Sequence, residues 1–311
     1  MKSTRVVALA ALCLAFVVVV VGAYVRLSDA GLGCPDWPLC YGKVIPAEHP
    51  EAHPVAKQWK EMGHRFLAGS LGALLLLLAF LSFRQKSSRA LAAAVVAVVV
   101  VQASLGMWTV TMLLKPAIVT AHLLGGMTIL ALLAWYTLEQ GNYAPAAQVR
   151  PLRWSAAIAL AALVIQIALG GWVSANYAAL ACLDLPLCRG AVVPPMDFAN
   201  AFHVVRELGQ TAQGELLSNE ALTAIHWTHR TFAVLVVAAV TWAWVAAFQR
   251  MKTLAIAIAF LLALQLSLGV TNVALNLPLP VAAAHNAGAA ALLIALVVLN
   301  FFTFRGLRPS W

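Results

Sequence analysis

Three side chains that can do chemistry together lie in the stretch KEMGHRFLAG, where a polar loop meets a long apolar segment. They are Glu61, His64 and Arg65. A carboxylate can take up protons, an imidazole can bind a metal, and a guanidinium pairs with carboxylates. Glu61 and His64 are three residues apart, so a helix would place both on one face. Polar groups at the edge of a membrane are costly and usually functional.

A near-copy of this stretch, IHWTHRTFAV, lies in the second half of the chain. It repeats the histidine and the arginine as His229 and Arg230, but it has His226 where the first stretch has Glu61. One copy therefore has a carboxylate beside its histidine and the other has a second imidazole. This difference suggests one working site and one supporting site. A helix-start charge that complements the helix dipole is the alternative role for Glu61.

Five of the eight histidines lie near one end of apolar segments, and four of them form two pairs. Each half carries one histidine on its second apolar segment and one on its fourth, at His64, His122, His229 and His285. Two imidazoles that face each other across a helical bundle are the ligands of six-coordinate haem iron. Structural hydrogen bonds and a metal ion are the alternatives, and a metal ion would normally need a third ligand. The loop histidines His49, His53 and His203 are expected to be solvated.

Arg65 and Arg230 each follow one of these histidines directly. Arginine binds carboxylates through two parallel hydrogen bonds. The expected partners are haem propionates or Glu61, with a lipid headgroup as the alternative.

The composition is that of a multi-pass membrane protein. The 311 residues are 63% hydrophobic and 10% charged, whereas a soluble domain carries roughly 25% charged residues. Eight segments are long enough to cross a bilayer. They are Val6–Val25, Phe66–Phe83, Ala90–Met112, Ala117–Leu138, Trp154–Asn176, Thr231–Phe248, Thr253–Val273 and Val281–Phe304. The first resembles a signal peptide but is interpreted as a retained helix, because its apolar run is long.

The net charge of +9 is distributed as in a membrane protein rather than a nucleic-acid-binding one. With the N-terminus placed inside, the inner segments hold most of the basic residues and a single acid, Glu139. This asymmetry predicts cytoplasmic termini and long loops on the outer face of the cell membrane.

Four of the five cysteines lie in the two long outer loops, as Cys34 with Cys40 and Cys182 with Cys188. Disulfides form on the oxidising side of a membrane. Two disulfides are therefore favoured over zinc ligation, because no histidine is spaced to complete a zinc site.

The second half of the sequence repeats the first. CPDWPLCYGKVIP matches CLDLPLCRGAVVP, GHRFLAG matches THRTFAV, QASLGMWTV matches QLSLGVTNV, and TAHLLGG matches AAHNAGA, all in the same order. The predicted fold is an all-α integral membrane protein of two parallel-repeat four-helix bundles, residues 1–145 and 146–311.

With these motifs the sequence resembles the heme A synthase family over essentially its whole length, and EMGHR is the most specific element. The resemblance implies oxidation of the C8 methyl of haem O to a formyl group, which gives haem A, with water as the oxygen source. It implies that His64 and His122 surround the substrate haem O, and that Glu61 is essential. It also implies that His229 and His285 bind a haem b cofactor, and that Cys34–Cys40 is a redox-active or structural disulfide nearby.

Partners are expected by the same resemblance: haem O synthase, oxidase assembly factors and membrane lipid, with a homo-oligomer left open. The competing hypothesis is a two-haem electron-transfer protein of the cytochrome b type, which explains four histidines but not Glu61. A duplicated transporter would need a polar midplane, yet the centres of these segments are almost purely Leu, Ala and Val.

Overall fold

The computed structural model describes residues 2–48 and 53–308, and within them the protein is all-α. His49, which was expected to be solvated, lies outside the described residues; His53 and His203 are exposed. Eight described helices are long and apolar enough to cross a membrane. They are α1 (Lys2–Leu27), α2 (Val55–Arg84), α3 (Arg89–Thr111), α4 (Pro116–Glu139), α5 (Arg153–Ala175), α6 (Asn219–Phe248), α7 (Lys252–Ala274) and α8 (Leu279–Arg305).

The prediction of eight membrane helices is confirmed, but two of the predicted helix starts were wrong. Helix α2 begins at Val55 rather than Phe66, and α6 begins at Asn219 rather than Thr231. His64 and His229 therefore lie more than two turns inside their helices instead of opening them. His285 also lies inside its helix, because α8 begins at Leu279.

The missed turns are amphipathic rather than apolar, which is why hydropathy did not detect them. In α2 the buried side chains of these turns are Gln58, Glu61 and Met62, which share one helix face. In α6 the start is fixed by Ser218, whose hydroxyl accepts a hydrogen bond from the backbone N–H of Ala221. A serine in this position satisfies one of the N–H groups that a helix start leaves free.

The helices pack as hairpins around two central helices. Each odd-numbered helix contacts the even-numbered helix that follows it, which gives the pairs α1–α2, α3–α4, α5–α6 and α7–α8. Helices α4 and α8 contact each other, and both also contact α1 and α5. The most apolar stretch of α8 is 67% buried within the protein, which is a larger buried share than in any of the other described membrane helices. The two halves therefore share one continuous core.

The connection between the halves is tied to the end of the described chain. Strand β1 (Ala144–Pro145) pairs antiparallel with strand β2 (Leu307–Arg308). Close by, Arg305 at the end of α8 forms an ion pair with Glu139 at the end of α4. These contacts lie on the opposite side of the bundle from the two disulfide loops.

A buried amide joins α8 to α5 and gives a test of this packing. The side chain of Asn300 donates hydrogen bonds to the backbone oxygens of Ala156, at 2.9 Å, and Leu296, at 2.8 Å. We expect Asn300→Ala to lower the free energy of unfolding by about 1 kcal/mol, within the range measured for hydrogen bonds between membrane helices. Thermal unfolding in detergent measures this. Ser104→Ala is the control, because the hydroxyl of Ser104, a half-buried residue, makes an exposed hydrogen bond to the backbone of its own helix α3; an equal effect of both substitutions would contradict the prediction.

Candidate functional site

Glu61 is a buried carboxylate that is held at both of its oxygens. One oxygen forms an ion pair with Arg65, one helical turn away, and the side chain of Glu61 is only 6% exposed. The other oxygen accepts a hydrogen bond of 2.9 Å from the backbone N–H of Cys34. The carboxylate therefore links α2 to the first disulfide loop. A buried carboxylate with one cation and one N–H donor has a fixed position.

Arg65 forms hydrogen bonds with the first disulfide loop as well as an ion pair with Glu61. Its guanidinium donates to the backbone oxygen of Asp36 at 2.9 Å and to that of Leu39 at 2.7 Å. The sequence left haem propionates, Glu61 and a lipid headgroup as possible partners of Arg65. The structure places Glu61 beside Arg65.

Arg230 makes similar loop contacts but has no carboxylate at the equivalent helix position. It donates to the backbone oxygens of Asp184 at 3.1 Å and Pro186 at 3.3 Å. Its second terminal nitrogen, Nη1, is buried and has no hydrogen-bond partner among the described residues. This nitrogen is chemically suited to bind an anion.

The two disulfide loops have the same internal design. The disulfides Cys34–Cys40 and Cys182–Cys188 are both formed, as predicted. Asp36 accepts hydrogen bonds from the backbone N–H groups of Tyr41 at 2.7 Å and Gly42 at 2.8 Å. Desolvation raises the pKa of Asp36, but these N–H groups outweigh it and hold the pKa below its ordinary value.

In the second loop the carboxylate of Asp184 caps the turn in the same way. It accepts from the N–H groups of Gly190 and Arg189, each at 2.7 Å. These bonds, with that from Gly190 the largest, lower the pKa of Asp184. Both loops are thus held by an ionised aspartate at neutral pH.

The structure brings the predicted histidines together in two pairs, one in each half. His64 on α2 lies close enough to His122 on α4 for their charges to interact, and His229 on α6 is in the same relation to His285 on α8. His226 is buried, lies beside His229, and occupies the position that Glu61 has in the first half. The Nδ1 atom of His226 has no partner among the described residues.

The donor set fits a haem better than a bare metal ion. Among residues 2–48 and 53–308 no group of three or more His, Cys, Asp or Glu side chains could hold a metal ion, and a bare ion normally requires at least three protein ligands. Two imidazoles per half match the axial ligand requirement of haem iron. The buried Nδ1 atoms of His64 and His122 lack a hydrogen bond within the described chain, so these two rings are not explained as structural hydrogen-bonded residues.

Each of the four histidines packs against a glycine on the preceding helix. A Cβ atom added to Gly22, Gly106, Gly170 or Gly269 would lie 2.8–3.1 Å from the Cε1 atom of His64, His122, His229 or His285, respectively. Contacts this close are rare for real Cβ atoms, so the absence of a side chain lets each imidazole lie between its two helices.

A glutamine four residues before the glycine accompanies three of these contacts. The segments are Gln102–Gly106, Gln166–Gly170 and Gln265–Gly269, whereas Val18 precedes Gly22. Sequence reasoning matched the first and third of these but missed Gln166, Gly170 and Gly22, because it compared two halves instead of four hairpins. The spacing Gln-x-x-x-Gly, which recurs before three of the four histidine helices, is the signal that would have found Gln166 and Gly170.

Comparison with known proteins places this arrangement in one family. Residues 5–297 match the family model COX15-CtaA, described as cytochrome oxidase assembly protein. The chain is 40% identical over 303 residues to the heme A synthase of Shewanella oneidensis, which covers 92% of each chain. It is 30% identical to the heme A synthase of Caulobacter vibrioides, over 94% of this chain and 93% of that one. A third relative, from Alkalihalophilus pseudofirmus, is 28% identical over 75% of this chain and 78% of its own, and carries the same name.

The glycine contacts give a prediction about stability. Gly22→Ala should lower the free energy of unfolding by about 1–3 kcal/mol, the usual effect of forcing extra atoms into a packed site, because the new Cβ would meet the imidazole of His64. The matched control is Gly69→Ala in α2, where nothing lies within 4 Å of the added atom.

In an exposed helix interior alanine is favoured over glycine by up to about 1 kcal/mol, so the control should be neutral or stabilising. Thermal unfolding of both variants in detergent measures the difference. The same melting temperature for the two variants would contradict the close contact.

Proposed function

We propose that the two halves of this chain have different roles in its reaction. The chain belongs to the heme A synthase family and is an oxidoreductase that converts haem O to haem A. In this proposal residues 1–145 hold the substrate haem and residues 146–311 hold a haem b cofactor. The observation that carries the proposal is the difference at one helix position, where the first half has Glu61 and the second has His226.

His64 and His122 would hold the substrate haem O. They form the only histidine pair, within the described chain, that has a buried carboxylate on the same helix face. Glu61 lies one turn before His64, so it would lie beside the edge of a ring whose iron His64 binds. The first half is therefore proposed as the site of oxidation.

Glu61 is proposed as the proton acceptor of the reaction. Conversion of the C8 methyl and one water to a formyl group releases four electrons and four protons in two stages, and an external electron acceptor must take up the electrons. A carboxylate within reach of the reacting carbon can take up these protons and orient the water. Arg65 and the N–H of Cys34 hold the carboxylate in place.

His229 and His285 would hold the haem b cofactor. A haem bound by two histidines supplies one-electron transfer. The unpartnered Nη1 of Arg230 is a suitable donor to a haem propionate, whereas Arg65 is already paired with Glu61. This difference supports a resident haem in the second half.

We also propose an orientation and a set of partners. The charge asymmetry of the loops supports a plasma-membrane protein with its disulfide loops and histidine pairs toward the outer face and its termini in the cytoplasm. Haem O synthase would deliver the substrate, and oxidase assembly factors would receive haem A. The cytochrome b-type alternative is not favoured by the relatives, which carry the name heme A synthase.

Replacement of Glu61 tests the proposed division of labour. In cells that also express haem O synthase, Glu61→Gln should reduce haem A formation by at least about 100-fold, the lower range for loss of a general acid–base group. Haem O should accumulate, and haem b should stay bound. Chromatography of extracted haems measures all three.

Glu220→Gln is the matched control, since Glu220 is a half-exposed acid in the first turn of α6. It should leave haem A formation within about twofold of the unsubstituted protein. Haem A production by Glu61→Gln at the level of this control would show that Glu61 is not the proton acceptor.

Removal of single histidines tests where the cofactor lies. His285→Ala should lose most of the low-spin haem b absorbance, because it removes one of the two axial ligands. His122→Ala should retain most of this absorbance and instead lose haem O binding. Visible absorbance spectra and haem extraction of the two purified variants provide the comparison, and equal loss of haem b in both would refute the assignment of the halves.

A further inference from the structure

The structure consists of four helical hairpins that each carry one histidine in the same setting. In every hairpin the odd-numbered helix supplies a glycine beside the imidazole. The residue four positions earlier on that helix, one turn away, differs between hairpins: it is Gln102, Gln166, Gln265 or Val18.

Each of the three glutamines contacts its histidine, Gln102 at the backbone only, Gln265 at the ring, and Gln166 at both. The amide nitrogen of Gln102 donates to the backbone oxygen of His122 at 2.8 Å. The amide nitrogen of Gln166 lies 3.0 Å from the backbone oxygen of His229 and 3.2 Å from its Nδ1. In the fourth hairpin the amide nitrogen of Gln265 lies 3.3 Å from Nε2 of His285.

Two of these glutamines also pack against a glycine of the helix that carries the histidine. The side-chain oxygen of Gln102 lies against Gly125, and that of Gln265 lies against Gly288; a Cβ on either glycine would overlap the oxygen. Both glycines are three residues after the histidine.

His64 has none of these contacts. Val18 occupies the glutamine position, and valine cannot form a side-chain hydrogen bond. The Nδ1 atom of His64 is buried without a partner among the described residues. Of the four imidazoles, His64 alone is therefore held by packing against its glycine without a glutamine.

We propose that Gln102, Gln166 and Gln265 are positioning residues that fix three of the four histidines, and that Val18 leaves His64 as the exchangeable ligand of the substrate haem. This inference rests on the proposed function, in which His64 belongs to the substrate site. A cofactor stays bound from one turnover to the next, whereas the substrate haem must enter and the product must leave. Groups that hydrogen-bond a metal-bound histidine typically change metal affinity 10- to 100-fold, so a missing one favours exchange.

The test adds the missing amide to the first hairpin. Protein carrying Val18→Gln is purified from cells that also express haem O synthase, and haem transfer to apomyoglobin is followed by absorbance. The substrate-class haems, O and A, should leave about tenfold more slowly than from the unsubstituted protein. Val18→Met, which adds length without an amide, is the matched control and should change this rate by no more than about twofold. Equal rates for the two variants would overturn the proposal.

A second arm removes an existing amide from the cofactor side. Gln166→Met should accelerate haem b transfer to apomyoglobin about tenfold and shift the electron paramagnetic resonance signal of the low-spin haem, because the imidazole plane of His229 is no longer fixed. Gln166→Glu keeps the length of the side chain but has no N–H to donate to the backbone oxygen of His229, so it should behave like Gln166→Met. An unchanged transfer rate and signal in Gln166→Met would also overturn the proposal.

The two kinds of failure can be told apart. If the unsubstituted protein forms no haem A in these cells, the proposed function fails whatever the transfer rates are. If haem A is formed, but Val18→Gln releases haem at the same rate as Val18→Met and Gln166→Met releases haem b at the same rate as the unsubstituted protein, the proposed function stands. The role proposed for the glutamines is then wrong.

Discussion

The close approach of each imidazole to a glycine on the neighbouring helix is the contact on which the rest of this structure depends. Each imidazole lies so close to the neighbouring helix that even a Cβ atom at the point of contact would be only 2.8–3.1 Å from its Cε1. Gly22, Gly106, Gly170 and Gly269 provide that point in the four hairpins. The pairing of hairpins around α4 and α8 then brings the rings together two by two.

The four hairpins are similar, and the two halves differ at a few side chains around the histidines. Glu61 has an arginine and a backbone N–H at its oxygens, while His226 is buried at the equivalent position with an unpartnered nitrogen. Val18 replaces the glutamine of the other three hairpins. Both departures concern the surroundings of His64, so the first half differs from the second at the histidine beside the carboxylate.

The sequence was sufficient for the parts of the fold that follow from hydropathy. The eight helices were found because each contains a long apolar run, and the disulfides because the cysteines are close in sequence and lie in loops. The first turns of α2 and α6 could not be found in this way, since their buried faces include Gln58, Glu61 and His226. The hydrogen bonds of Arg65 to the first disulfide loop and of Gln166 to His229 could not be predicted either. They join separate parts of the chain, and the spacing of residues along one helix does not determine them.

The pairing of β1 with β2 has a consequence for biosynthesis. Residues 144–145, which follow the first four helices, are hydrogen-bonded to residues 307–308, which follow the last. This small sheet can form only after all eight helices have been synthesised, and the ion pair between Glu139 and Arg305 has the same requirement. The first four helices must therefore remain in the membrane with this end of their bundle open until α8 and residues 307–308 have been made, so the closure of the two halves follows the synthesis of the eighth helix.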